Sequence, residues 1–152
     1  MKKMIAFLLC GGLLLAGKNL PNRSFDLFEN AEKMIVVSEK RIEQFDDEFI
    51  SGNDYYYTFQ AKEIEKNFSI LDEKDGIKGL NLYFNQEMPL SYFQNKLDFL
   101  GDETNLGENK IYYGYYSYYK HFKWIDGKKI NVQLVQTAEG WILGMPLILT
   151  GF

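Results

Sequence analysis

The chain has 152 residues, a formal net charge of −4, 46% hydrophobic residues and an aromatic content of 16%. A single cysteine and a single histidine rule out a zinc site built on those residue types, and the acidic balance works against affinity driven by nucleic-acid phosphates. The length suits one domain, which buries roughly two thirds of its unfolded surface and can stand on its core without disulfides.

Lys2 and Lys3 open the chain, and residues 4–17 are apolar or small until Lys18. A basic start, an apolar middle and a small-residue exit are the layout of a secretory signal peptide. The run is shorter than the about 20 residues that a membrane-spanning helix needs. Cleavage is expected after Gly17, leaving 18–152 as a single α+β domain that has lost Cys10. Bulky Leu15 is the weak point of that site. Three alternatives are lipid attachment at Cys10, an uncleaved N-terminal anchor, and a buried helix. Export places the protein in the cell envelope or outside it, and the brief Lys-Lys start points to a bacterium.

Arg23 to Met34 is expected to be helical, with Asn22 or Ser24 as cap and Phe25, Phe28, Ala31 and Ile35 at helical spacing. From Ile35 to Ile50 the pattern is mixed: Ile35-Val36-Val37 is β-branched, while Ile42, Phe45 and Phe49 keep helical offsets. Residues 51–54 form a turn, Tyr55 to Phe59 a strand, and 61–68 either a continued strand or a helix. Asp75-Gly76 centres another turn, and Leu80 to Phe84 is a strand. Pro89 interrupts pairing. Ser91 and Gln94 have capping-box spacing for a helix to Leu100, with Leu90, Phe93, Leu97 and Leu100 on one face and Gly101 as its stop.

From Ile111 to Ile125 a long strand is expected, bent at Gly114 or Ser117. Asp126-Gly127 is a two-residue hairpin turn. Lys128 to Gln136 alternates, with Ile130, Val132 and Leu134 inward and Asn131 and Gln133 outward. After a turn at 137–140, Trp141 to Leu149 returns, and Pro146 makes it an edge strand or a bulged one. The expected architecture is α+β: an antiparallel sheet with helices packed on one face and a C-terminal three-stranded meander.

The long strand carries the densest chemistry, with six tyrosines in the eight residues from Tyr112 to Tyr119, then Phe122 and Trp124. Alternation sends neighbouring rings to opposite faces, so some face solvent. Exposed rings with a hydroxyl at the rim suit stacking on sugars or gripping a peptide. Candidate ligand-binding residues are therefore Tyr113, Tyr115, Tyr116, Tyr118, Tyr119 and Trp124. The outward set is either Tyr113, Tyr115 and Tyr119 or Tyr112, Tyr116 and Tyr118. Lys110, Lys120, Lys123, Lys128 and Lys129 form a basic patch nearby, suited to an anionic wall polymer or a membrane surface.

Catalytic signals are thin. His121 has no recognisable relay partner, and no Gly-X-Ser-X-Gly turn occurs. The acidic runs Asp46-Asp47-Glu48, Asp72-Glu73 with Asp75, and Asp102-Glu103 lack calcium-loop spacing and read as solvated turns. They leave room for a hydrolase with paired carboxylates. Nothing in the sequence calls for a cofactor or metal.

Tyr113-Gly-Tyr115, then Asp126-Gly-Lys-Lys-Ile-Asn-Val-Gln-Leu134, then Gly144-Met-Pro-Leu-Ile148 resemble the end of the YwmB family. These are exported proteins of Gram-positive bacteria with a fold similar to that of the TATA-box-binding protein. The resemblance implies an α+β sheet-and-helix domain behind a signal peptide, and brings no catalytic residue. The leading expectation is a non-enzymatic exported envelope protein whose aromatic strand binds wall glycan or an envelope protein. A partner protein could instead add to the edge at Trp141–Leu149. The alternatives are a small hydrolase of wall polymer and a regulator tethered by an uncleaved N-terminus.

Overall fold

The computed structural model describes residues 27–46, 49–71 and 74–151. The leader, its cleavage site, the start of the expected first helix and the carboxylates of Asp47, Glu48, Asp72 and Glu73 lie outside them. The described chain is α+β and dominated by antiparallel sheet, with two short helices.

In chain order the elements are β1 (Lys33–Ser38), β2 (Phe49–Ser51), β3 (Asp54–Gln60), α1 (Ala61–Leu71), β4 (Ile77–Asn85), α2 (Leu90–Lys96), β5 (Phe99–Leu100), β6 (Thr104–Leu106), β7 (Asn109–Tyr115), β8 (Lys123–Ile125), β9 (Lys128–Ile130), β10 (Val132–Gln136) and β11 (Gly140–Met145). Nine strands form one sheet in the order β2-β3-β1-β4-β11-β10-β7-β5, with β6 also on β7, while β8 and β9 make a separate hairpin.

The period of two sorts the side chains. Tyr57 and Phe59 of β3, Met34 and Val36 of β1, and Leu80, Leu82 and Phe84 of β4 lie in register on one face. That face continues with Trp141, Leu143 and Met145 of β11, Leu134 of β10 and Tyr112 of β7. All are buried in one hydrophobic cluster. Helix α2 sets Phe93, fully buried, against the rings of Phe84 at 5.1 Å and Trp141 at 5.2 Å. Trp141 keeps its polar handle satisfied by donating Nε1–H to the Met88 carbonyl at 2.9 Å.

On the opposite face the chain after β11 folds back over the sheet. Ile148 donates its N–H to Gln133 Oε1 at 3.0 Å, and the Thr150 hydroxyl meets Asn81 Nδ2 at 2.5 Å and the Tyr83 hydroxyl at 3.0 Å. Gly144 permits this crossing, because a Cβ there would stand 2.4 Å from the Ile148 nitrogen.

Several expectations change. Residues 27–30 are turn and β1 starts at Lys33, so no helix runs to Met34: Met34 pairs with both Phe59 and Leu82 as part of a central strand. The mixed stretch from Ile35 opens as strand, and Ala61 onward is helix. Helix α2 stops at Lys96 because Leu97 turns extended and Phe99-Leu100 pair with Tyr115 and Gly114. Pro89 occupies its N-cap with no side-chain cap, so the capping box at Ser91 does not form. Gly101 is not a helix stop, and it donates its N–H to the Tyr113 carbonyl at 2.8 Å. Strand β11 is interior, paired with β4 and β10, and ends at Met145 before Pro146, so it offers no edge for a partner strand. The edges are β2 on one side and β5 with β6 on the other.

Candidate functional site

The aromatic segment is not one strand. β7 ends at Tyr115, residues 116–122 form a turn and loop, and the chain resumes as the β8–β9 hairpin. The cause is hydrogen bonding from two side chains. Asn131, fully buried, accepts the Tyr116 N–H at 2.7 Å through Oδ1. It donates through Nδ2 to the carbonyls of Tyr116 at 2.8 Å and Tyr119 at 2.9 Å. From the other side the Asp98 carboxylate accepts the Ser117 N–H. These contacts take up backbone groups that a continuing strand would offer to a neighbour. Asn131 was expected to face outward by alternation, but it falls between β9 and β10, where the strand pattern breaks.

The bend decides which rings are free. Tyr112 lies on the core face, and its hydroxyl donates to Glu103 Oε2 at 2.6 Å. Burial first, then the hydrogen bond to the Glu103 carboxylate, pushes its pKa up to about 12. The same hydrogen bond, with Lys110 Nζ at 3.4 Å, holds the Glu103 carboxyl below its ordinary value. Tyr116 and Tyr119 are buried, and Tyr119 donates its hydroxyl to the Met145 carbonyl at 3.3 Å. Tyr113 and Tyr115 are half-buried on the other face, and Tyr115 stacks with Phe99 at 6.4 Å. Tyr118 is exposed in the loop. Neither alternating set is therefore outward as a whole: Tyr113 and Tyr115 come from one, Tyr118 from the other.

The most exposed ring among the described residues, Trp124, lies beyond the bend. Trp124 is 66% exposed and Phe122 40%. Asp126 and Gly127 both have positive φ, 48° and 74°, as a two-residue hairpin turn of the primed type requires. Register pairs Trp124 with Lys129, so these two share a face. The Phe122 and Trp124 rings meet edge to face at 6.0 Å, and Lys129 Nζ stands 4.2 Å above the Phe122 ring. Lys123 and Lys128 lie exposed on the same ribbon. Lys110 does not join them, because its strand carries it to Glu103. Phe122 meets Trp124 by alternation along the chain, which the sequence carries, but only the cross-strand register brings Lys129 onto their face.

Two clefts among the described residues lie apart from this surface and share no lining residue with it. One, of about 350 Å³, is lined by Lys33, Tyr83, Trp141 and the carboxylates of Glu32 and Glu139. The other, of about 580 Å³ and more open, lies between Lys40, Arg41, Lys74 and Asp75. Among the described residues no group of three or more His, Cys, Asp or Glu side chains could hold a metal ion, and no helix is long and apolar enough to cross a membrane. Exposed His121 lies against the Tyr119 ring at 5.6 Å.

No protein-family model matches the chain, and neither a curated protein nor a solved structure matches it.

Proposed function

We propose that this is an exported, non-enzymatic protein of a Gram-positive cell envelope, related to the YwmB family, that binds wall glycan through the aromatic hairpin and the loop before it. The observation that carries the reading is the pair of exposed rings Phe122 and Trp124, edge to face at 6.0 Å outside the main sheet, with Tyr118 exposed in the loop before them. Apolar rings held in water at this level of exposure add little to the core, and flat faces of this kind stack on sugar rings. The contact surface moves from the strand of tyrosines to the loop and hairpin, with Tyr113 and Tyr115 at its edge. Tyr116 and Tyr119 serve as its buried support. The two helices are read as cover for the core face of the sheet, with Phe93 the clearest instance.

Sedimentation of the purified protein with isolated wall sacculi tests the reading. Saturable binding is expected, and Trp124→Ala with Tyr118→Ala should weaken it about ten-fold or more while leaving the thermal midpoint in place. A double variant that binds as tightly as wild type would sink the proposal.

A second reading, a small hydrolase of wall polymer, has one observation in its favour: Glu32 and Glu139 line the same cleft. It requires that the same incubation release soluble sugar reducing ends, and that Glu139→Gln abolish the release.

A further inference from the structure

We infer that the ligand of the hairpin is a polyanionic glycopolymer, a wall polymer with phosphodiesters between its sugars, held by Trp124 against sugar and against phosphate by Lys129 on the same face, with Lys123 and Lys128 on the ribbon's other face adding to its positive field. The inference rests on the wall-binding reading above and names the chemical class of its ligand.

Charge segregation is the first support. The chain as a whole stands at −4, yet from Tyr118 to Ile130 it carries four lysines and one acid, Asp126. A cation-rich ribbon on an acidic body gathers polyanions locally, whatever the net sign of the molecule.

Missing partners are the second. Two exposed lysines elsewhere have carboxylate partners: Lys78 reaches Asp54 at 2.7 Å and Lys110 reaches Glu103 at 3.4 Å. Among the described residues, no carboxylate lies within ion-pair distance of Lys123, Lys128 or Lys129. Register sets these lysines opposite Ile130, Ile125 and Trp124 and not opposite a carboxylate, so a polyanion supplies a counter-charge that the ribbon lacks.

The third support separates a polymer from a membrane. The Lys129 ammonium covers the face of Phe122 at 4.2 Å, so burying that ring among acyl chains would carry a cation in with it or strip it away. A sugar phosphate presents an apolar ring face and an anion a few ångströms apart, which matches a ring and an ammonium presented together.

The test compares sacculi that keep their phosphodiester polymer with the same sacculi stripped by hydrofluoric acid. Wild type, a triple Lys123→Gln, Lys128→Gln, Lys129→Gln variant and Trp124→Ala are sedimented with each. All four positions are exposed, so unchanged thermal midpoints are expected and are checked. The inference expects wild type to prefer the unstripped sacculi, and the triple variant to bind them about ten-fold more weakly. Affinity should also fall several-fold as salt rises from about 50 to about 300 mM. Equal binding to both sacculi, unaffected in the triple variant but lost in Trp124→Ala, would overturn the phosphate inference and leave the ring reading standing. Failure of wild type to bind either preparation would remove the wall reading itself. Binding to phosphatidylglycerol vesicles without binding to unstripped sacculi would overturn the inference in favour of a membrane surface.

Discussion

Asn131 shows how much one buried amide can decide. It satisfies one backbone donor and two carbonyls of the loop that aims the hairpin. Removing it takes these bonds from the Tyr116 N–H and the Tyr119 carbonyl, while the Tyr116 carbonyl keeps the Tyr119 N–H at 3.1 Å, and each group left unsatisfied where water cannot reach costs about 1–3 kcal/mol. Asn131→Ala should therefore lower the free energy of unfolding by about 2–4 kcal/mol. It should also speed amide exchange at Tyr116, which denaturant unfolding and hydrogen exchange would measure. An unchanged Tyr116 amide would show that the bend is held by other contacts. Tyr112 makes a prediction in pH. Its phenol pKa is raised in the fold to about 12 from an ordinary value of 10.0, so the native state holds that proton more tightly than the unfolded chain. Its contribution to stability is complete below about pH 10 and disappears as pH climbs through about 12. Glu103, lowered by the same bond, behaves oppositely: its contribution is present above the ordinary carboxylate range and fades as acid takes pH through the lowered value. Tyr112→Phe should flatten the alkaline limb of a stability–pH curve, and tyrosinate absorbance appearing near pH 12 should diminish with it.

The hairpin β8–β9 and the C-terminal segment are opposite cases at the scale of elements. The hairpin was legible because its turn chemistry is local: Asp126 and Gly127 tolerate the positive φ that a two-residue connection needs. The C-terminal fold-back was not legible, because a glycine in a strand says only that something comes close. At Gly144 that neighbour is the backbone of Ile148. Gly144→Val should push the segment off the sheet and expose the fully buried Asn81, lowering stability by about 2–4 kcal/mol. Faster proteolysis after residue 145 would report the release. A variant as stable and as resistant as wild type would show that the crossing can relax at no cost. Helix α2 is shorter than its apolar spacing suggested. Leu97 and Leu100 keep the helical offsets, but pairing of Phe99-Leu100 with β7 takes the chain out of the helix first. Local propensity is a weak prior against such tertiary pairing.

The whole sheet is joined at β4 and β11. One side, β2-β3-β1-β4, comes from the first part of the chain, and the other, β11-β10-β7-β5, from the last. The join runs from Gly140↔Asn85 to Met145↔Leu80, and one hydrophobic cluster crosses it. The two sides should therefore unfold together. In a Trp124→Phe background, fluorescence of the buried Trp141 and far-ultraviolet circular dichroism should give the same denaturant midpoint. Separate midpoints would mean that the two sides are independent units. The sequence alone determined what depends on near neighbours: the alternating runs Leu80–Phe84 and Val132–Gln136, the turns at Asp75-Gly76 and Asp126-Gly127, and the excess of rings over what one face can hide. Which rings are hidden was decided only in three dimensions. Asn131 lies 15 residues from Tyr116 in the chain, and its amide takes up the backbone groups that would have continued the strand. The interior place of β11 was decided in the same way, because pairing with a strand about 60 residues earlier satisfies hydrogen bonds that no local pattern records.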